Sequence, residues 1–183
     1  MVYLFLADGF EIIEALAPVD MLRRAKLDVK TVGVTGKNVL SSCGVEVTAD
    51  ITIDEFEYID VDAVILPGGM PGTLNLENNN TVQNTIDKAV ENKALICAIC
   101  AAPSILGHKG LLKNKEAIAF PGFEKDLEGA VISEQYVVRD GNFITAKGAG
   151  VAVDFGLEIV RALTDEETAN NIRNTIQCEP NKT

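Results

Sequence analysis

The sequence predicts an α/β protein in which helices cover both faces of a mostly parallel sheet. Short, almost wholly apolar runs, such as residues 2–7 and 63–66, are typical of strands buried on both faces. Segments with helical spacing of apolar residues separate these runs, and this alternation is typical of parallel βαβ units. A chain of 183 residues fits one domain, residues 1–183, with enough length for a core of its own.

The elements follow one another in a regular order. Strands are predicted over residues 2–7, 28–35, 63–66 and 94–99, with a small ribbon at 39–40 and 45–48 and a hairpin at 136–139 and 142–145. Helices are predicted over residues 11–26, 81–91, 101–108 and 151–163, and a capping box at 164–167 opens a last helix. Pro18 lies inside the first helix, so we expect a kink or a restart there.

Charge narrows the function classes. The chain has 16 Lys+Arg against 27 Asp+Glu, a net charge of −11. Such a surface repels phosphate backbones and anionic lipids, which disfavours nucleic-acid and membrane-surface roles. No apolar run approaches the roughly 20 residues that span a bilayer, and the first residues lack a basic signal-peptide region. We therefore expect a cytoplasmic protein.

Soft metal ligands are scarce. The four cysteines, Cys43, Cys97, Cys100 and Cys178, are not spaced like a secreted disulfide framework, and His108 is the single histidine. Little material is left for a structural zinc site or a histidine-based triad, so no metal is expected. His108 lies about 12 Å along its helix from Cys100 and is interpreted as a partner of the helix C-terminal dipole or a surface residue.

Active sites of parallel sheets lie where strands end and helices begin, which singles out the loops after residues 7, 66 and 99. Cys100 occupies the third of these loops. At a helix N-terminus, free N–H groups favour a thiolate, and a tight strand-to-helix elbow holds the nucleophile in strained geometry. A buried core cysteine is the alternative. Cys97, three residues earlier, is interpreted as core, which makes a C-x-x-C redox couple geometrically awkward.

The other two loops supply backbone amides and carboxylates. The segment Pro67-Gly68-Gly69 can aim N–H groups at an oxyanion, although a plain glycine-rich turn is the alternative. Glu14 lies among apolar residues, and its burial would favour the neutral form that exchanges protons with a nearby thiolate. Glu11 is interpreted as a solvated carboxylate in the first helical turn.

These segments together resemble the ThiJ/PfpI superfamily, and within it the DJ-1-like branch of the parkinsonism-associated deglycase. The matching segments run in order along nearly the whole chain: residues 8–14 (DGFEIIE), 18–25 (PVDMLRRA), 66–69 (LPGG), 98–103 (AICAAP) and 154–157 (DFGL). The resemblance implies a flavodoxin-like sandwich, similar to class I glutamine amidotransferases, that forms homodimers. It assigns the reactive cysteine to Cys100, its carboxylate partner to Glu14, and oxyanion-type amides to Gly69 and Ala101.

The resemblance also implies an activity. It suggests a cofactor-free deglycase or glyoxalase that acts on glyoxal, methylglyoxal or their adducts. The alternative is a non-enzymatic redox sensor or stress chaperone in which Cys100 oxidises to a sulfinate. The same residues serve both roles.

The chain departs from the family pattern at two positions. Phe120 precedes Pro121 where the family often has a histidine, so no Cys–His pair is available and proteolysis is disfavoured. The branch's second arginine, expected near Gly44, is absent, while Arg24 remains as a candidate site or dimer contact.

A homodimer is expected on a second ground. Residues 12–22 carry apolar side chains on more than one helical face, whereas a helix that lies on a sheet needs one apolar stripe. A second copy would lie near Pro18, Asp20 and Met21 and could place Arg24 in the neighbour's site. A monomer whose helix is covered by the ribbon of residues 41–48 is the alternative.

Overall fold

A computed structural model describes residues 1–178 and confirms the predicted α/β class. The strands are β1 (Val2–Leu6), β2 (Val29–Gly33), β3 (Asn38–Leu40), β4 (Glu46–Thr48), β5 (Ile51–Thr52), β6 (Ala63–Leu66), β7 (Leu95–Ile99), β8 (Glu116–Ala117), β9 (Val131–Ile132), β10 (Val137–Asp140) and β11 (Phe143–Ala146). The α-helices are α1 (Ile12–Arg24), α2 (Gly72–Glu77), α3 (Asn80–Glu91), α4 (Pro103–His108), α5 (Ala152–Leu163) and α6 (Glu166–Thr175).

Seven strands form the main sheet in the order β10–β11–β7–β6–β1–β2–β5. All neighbours in it are parallel except β10 and β11, which form the predicted hairpin. The ribbon β3–β4 is antiparallel, as predicted, and β8 pairs with β9 in a separate small sheet. None of the helices within residues 1–178 is long and apolar enough to cross a membrane.

Successive residues of the buried strands face opposite layers of helices, because side chains alternate across a strand. In β1, Val2, Leu4 and Leu6 pack into the core formed with α1, α5 and α6. Tyr3 and Phe5 pack into the core formed with α2, α3 and α4. Both faces of the sheet are therefore covered, so a reactive site can form only at the ends of the strands.

The carboxyl ends of β7, β6 and β1 lie side by side. Leu66 is in register with Ala98, and Leu4 is in register with Ile65. The loops that follow these three strands therefore meet at the C-terminal end of the parallel strands, as the sequence predicted.

The predicted restart of the first helix at Pro18 is wrong, because α1 runs without a break from Ile12 to Arg24. Pro18 is buried where α1 crosses α5. The crossing is so close that a Cβ on Gly156 would lie 2.9 Å from the Pro18 Cα. Tertiary packing thus holds the helix through a residue that would otherwise interrupt it.

The capping box predicted at residues 164–167 is also wrong in position. The N-cap of α6 is Asp165, whose carboxylate accepts a hydrogen bond from the Thr168 N–H at 2.7 Å. The Thr164 hydroxyl instead donates to the Val160 carbonyl at 2.8 Å, at the end of α5. The threonine thus completes one helix and the aspartate begins the next.

Candidate functional site

Backbone and side-chain hydrogen bonds join two of the three loops directly. The Glu11 N–H donates to the Gly68 carbonyl at 2.9 Å, and the Gly68 N–H donates to Glu14 Oε2 at 3.0 Å. The loop after β1 is therefore fixed against the loop after β6, and Glu14 is held at the edge of the sheet where β7 also ends.

Cys100 lies at the predicted elbow between β7 and the following helix. Its φ of +66° is in the left-handed region, which is strained for a residue with a side chain. Its N–H donates to the Ala146 carbonyl at 2.9 Å, and its own carbonyl accepts from the Phe120 N–H at 2.8 Å. These bonds hold the strained backbone in place and leave the thiol half-buried.

Three groups surround the sulfur. The backbone amides of Gly69 and Ala101 and the Glu14 carboxyl lie close enough to the thiol to shift its pKa. The nucleophile, the carboxylate and the two amide residues named from the resemblance are thus brought together at one point.

Gly68 makes this approach geometrically feasible. A Cβ at this position would lie 2.7 Å from both Glu14 Oε2 and the Cys100 Cβ, which is closer than real contacts allow. Gly68 therefore has a steric role at the site in addition to its place in the turn.

Glu14 is fully buried, and burial together with the charge of Glu11 raises the pKa of its carboxyl to about 7. The Cys100 thiol and the hydrogen bond from the Gly68 amide lower this pKa and so act in the opposite direction. Oε1 has no hydrogen-bond partner among residues 1–178. The carboxyl can therefore exchange a proton near neutral pH.

The predicted lowering of the thiol pKa is wrong. Burial, and then the charge of Glu14, raise the pKa of the Cys100 thiol to about 12, although the Ala101 and Gly69 amides favour the thiolate. The expected helix dipole is weak because α4 has six residues and begins only at Pro103.

The charge of one group affects the pKa of the other. When the proton lies on Glu14, the charge that raises the pKa of the Cys100 thiol disappears and the carboxyl becomes a donor to the sulfur. Glu14 is therefore placed to accept the thiol proton.

Several candidates lie outside this cluster. Cys97 is fully buried in β7, and its burial raises the pKa of its thiol, which fits the predicted core role. The His108 ring lies 2.6 Å from Glu77 Oε1 on the surface, also as predicted. Glu11 is the N-cap of α1 and accepts from the Glu14 N–H at 2.7 Å.

Arg24 is not part of the site within one chain. Its guanidinium pairs with Asp20 at 2.9 Å near the exposed end of α1. Ten residues of helix separate it from Glu14, a rise of about 15 Å.

The sequence reasoning missed the loop after β11. A Cβ on Gly148 would lie 3.3 Å from the Phe120 ring and 3.9 Å from Glu14 Oε1, so this loop forms a wall of the site. The signal was present as Lys147-Gly148-Ala149-Gly150 at the end of a strand that pairs with β7. Among residues 1–178, no group of three His, Cys, Asp or Glu side chains could hold a metal ion.

Comparison with known proteins supports a single family. The sequence profile of the DJ-1/PfpI family matches residues 1–162. The chain is 34% identical to the Parkinson disease protein 7 homolog of Danio rerio over 92% of each chain. It is 31% identical to protein dj-1beta of Drosophila melanogaster over 91% of each chain.

Other relatives are longer. The chain spans less than half the length of two Arabidopsis thaliana relatives, DJ-1 homologs A and B, covering 46% and 37% of them.

Solved structures agree with the flavodoxin-like α/β fold. A cysteine-to-alanine mutant of a DJ-1 superfamily protein from Salmonella typhimurium superposes with a TM-score of 0.92 at 34% identity, covering 98% of both chains. An oxidised DJ-1 of Toxoplasma gondii superposes with a TM-score of 0.92 at 31% identity, covering 96% of this chain and 97% of that one.

Proposed function

The chain belongs to the DJ-1/PfpI family, and we propose on that basis that it is a cysteine-dependent, cofactor-free enzyme of the deglycase or glyoxalase type. Its substrates are glyoxal, methylglyoxal or their adducts with amines and thiols. One observation carries the proposal: a buried carboxyl with a pKa of about 7, Glu14, lies beside the Cys100 thiol, which two backbone amides also face. A working thiol of this kind suits a reducing compartment such as the cytoplasm.

The reaction begins with the transfer of the Cys100 proton to Glu14. The sulfur attacks the aldehyde carbon of methylglyoxal, a C–S bond forms, and the carbonyl electron pair moves to oxygen. The Gly69 and Ala101 amides stabilise that oxygen until Glu14 returns the proton to it. The product of this step is a hemithioacetal on Cys100.

Glu14 then moves a second proton. Its carboxylate removes the hydrogen from the former aldehyde carbon and returns it to the neighbouring ketone carbon, while the hydroxyl proton of the hemithioacetal passes to the ketone oxygen. One carbon is thereby oxidised as the other is reduced. The resulting thioester is hydrolysed by water to lactate and the free thiol. The sum is methylglyoxal plus water to lactate, with no external oxidant or reductant.

The proposal is tested by lactate formation from methylglyoxal. We expect the purified protein to release one lactate for each methylglyoxal consumed, and to do so at an unchanged rate in the presence of a metal chelator. Lactate is quantified enzymatically after removal of the protein. Absence of lactate above the uncatalysed background would contradict the enzymatic proposal.

A redox-sensing role is the second candidate, and the same contact between Glu14 and Cys100 favours it. The thiolate takes one oxygen from each of two peroxide molecules, which are reduced to water, and a protonated Glu14 then donates to the sulfinate. A further ground is that one structural neighbour, the Toxoplasma gondii protein, is described in an oxidised form.

This role predicts a defined oxidation product. Mild peroxide should add two oxygens to Cys100 and stop there, whereas Glu14→Leu should lose this plateau and proceed to three oxygens, because the donor to the sulfinate is gone. Intact-mass and peptide mass spectrometry measure both. An unchanged product distribution in Glu14→Leu would show that Glu14 does not contact the oxidised sulfur.

We also propose a homodimer, but its contact surface differs from the one that the sequence predicted. Pro18 and Met21 do not supply an open apolar face, since both are buried within the chain against Gly156 of α5. Exposed apolar side chains near the start of α1 lie instead at Ile13 and on the adjoining ribbon.

About half of the surface of Ile13, Leu40 and Val45 is exposed. A second copy would cover these side chains by a two-fold contact. We expect light scattering at micromolar concentration to give about 39 kDa, twice the 19.6 kDa of one chain. Ile13→Glu should shift the mass toward one chain, and a wild-type mass equal to that of one chain would contradict the dimer.

A further inference from the structure

A groove of about 480 Å³ adjoins the reactive pair and takes no part in the chemistry described so far. Its lining includes Phe120, Tyr136, Lys147, Gly148 and Val151. Phe120 and Tyr136 are 47% and 55% exposed, so the rings form open apolar walls and are not part of the core.

The groove begins at the backbone of Cys100. The Cys100 carbonyl accepts from the Phe120 N–H at 2.8 Å, and the Cys100 N–H donates to the carbonyl of Ala146, the residue before Lys147. Gly148 lies between the Phe120 ring and Glu14 Oε1, which are 3.3 and 3.9 Å from the point that a Cβ would occupy. A molecule attached to the sulfur therefore has the groove as its adjacent open space.

Lys147 gives the groove a charge. The side-chain ammonium of Lys147 lies 4.5 Å from the centroid of the Tyr136 ring, and the backbone N–H of Lys147 donates to the Tyr136 carbonyl at 2.9 Å. No carboxylate of residues 1–178 forms an ion pair with it, although the chain has 27 acidic residues against 16 basic ones. A half-buried cation on an aromatic face, with no ion-pair partner among residues 1–178, complements an anionic group of a ligand.

Charge also fixes the direction in which a ligand lies. Glu14 at the inner end repels a carboxylate, whereas Lys147 at the outer wall attracts one. A substrate with a carbonyl at one end and a carboxylate at the other would place the carbonyl at Cys100. The apolar segment between them would lie against Phe120 and Tyr136.

We infer that this groove is a substrate subsite for α-oxoaldehydes whose second substituent is an apolar, preferably aromatic, group that ends in a carboxylate. The inference rests on the proposed function, which it narrows to a substrate class. Lys147 binds the carboxylate, and the rings of Phe120 and Tyr136 pack against the spacer.

The test compares 4-carboxyphenylglyoxal with phenylglyoxal. The wild type should favour the carboxylated compound in kcat/KM by roughly tenfold, the value of one charge-assisted contact. Lys147→Met should reduce this ratio to about one, and Lys147→Arg should retain most of it. Added salt should weaken the preference, because the contact is partly exposed.

Lys115→Met is the matched control. Lys115 also lies over an aromatic ring, at 5.2 Å from the centroid of Phe143, but it pairs with Asp140 and does not line the groove. The ratio of kcat/KM for 4-carboxyphenylglyoxal to that for phenylglyoxal should be the same in Lys115→Met as in the wild type. An equal ratio in the wild type and Lys147→Met, or a wild-type preference for phenylglyoxal, would overturn the subsite.

A binding measurement separates this inference from the proposed function. The unreactive ketone 4-acetylbenzoate should bind more tightly than acetophenone in a calorimetric titration, and Lys147→Met should remove the difference. If Lys147-dependent binding is found without turnover of any α-oxoaldehyde, the subsite stands and the proposed activity fails. If methylglyoxal is converted but Lys147→Met changes neither the kcat/KM ratio of the two glyoxals nor the relative affinity of the two ketones, the activity stands and the subsite fails.

Discussion

Replacing Cys100 with serine should lower kcat/KM for lactate formation from methylglyoxal by at least roughly 1,000-fold. A serine hydroxyl releases its proton far less readily than a thiol, and its oxygen is the weaker nucleophile. Glu14 and the amides of Gly69 and Ala101 would remain in place, so the variant removes the nucleophile alone. Lactate formed per unit time at low substrate concentration measures the effect.

Cys43→Ser is the matched control, because Cys43 is exposed in the loop between β3 and β4 and is not among the groups that shift the pKa of Glu14 or Cys100. Its activity should stay within about twofold of the wild type. Cys100→Ser should also retain the wild-type circular dichroism spectrum, which separates lost chemistry from lost folding. Substantial lactate formation by a folded Cys100→Ser variant would contradict the assignment of the nucleophile.

Replacing Glu14 with glutamine should make the stability of the protein less dependent on pH. The pKa of Glu14 is raised from its ordinary value of 4.5 to about 7 in the folded chain. The stability associated with this carboxyl is therefore fully present below about pH 4.5 and is lost as the pH rises through about 7. At pH 8 the wild type must keep an ionised carboxylate buried, whereas the variant keeps a neutral amide.

The free energy of unfolding of Glu14→Gln minus that of the wild type should increase by roughly 3 kcal/mol as the pH rises from about 4 to about 8. Urea denaturation of both proteins at each pH measures it, and the difference between them cancels the titration of other carboxylates. The same trend should persist in a Cys100→Ala background, since burial is the leading cause of the shift. Parallel pH profiles of the two proteins would contradict the raised pKa.

Local sequence patterns were sufficient to predict a strand or turn where the segment itself contains the apolar run or the turn residues. The apolar runs that became β1, β6 and β7 are long enough to be recognised, and the turn Asp140-Gly141 marked the hairpin. The short elements β5, β8 and β9 were missed because two residues cannot display a period. Each is defined by hydrogen bonds to a distant segment and not by its own side chains.

The candidate site followed from the sequence to a similar extent. The position of Cys100 after a buried strand predicted the elbow, and its φ of +66° bears this out. The direction of its pKa shift did not follow, because it depends first on burial and then on the charge of Glu14, which is 86 residues away in sequence and adjacent only in the fold. The wall formed by Lys147 and Gly148 was missed for the same reason.

Local sequence patterns were thus enough to establish the α/β class, the order of the main elements and the three loops that carry the chemistry, because apolar periodicity and turn residues act over a few neighbouring positions. Three further features became apparent in the folded chain: α1 continues through Pro18, Glu14 and Cys100 compete for one proton, and a cationic groove opens beside them. All three arise from contacts between distant segments. Burial, charge and close approach depend on what the fold brings together, and no local pattern records them.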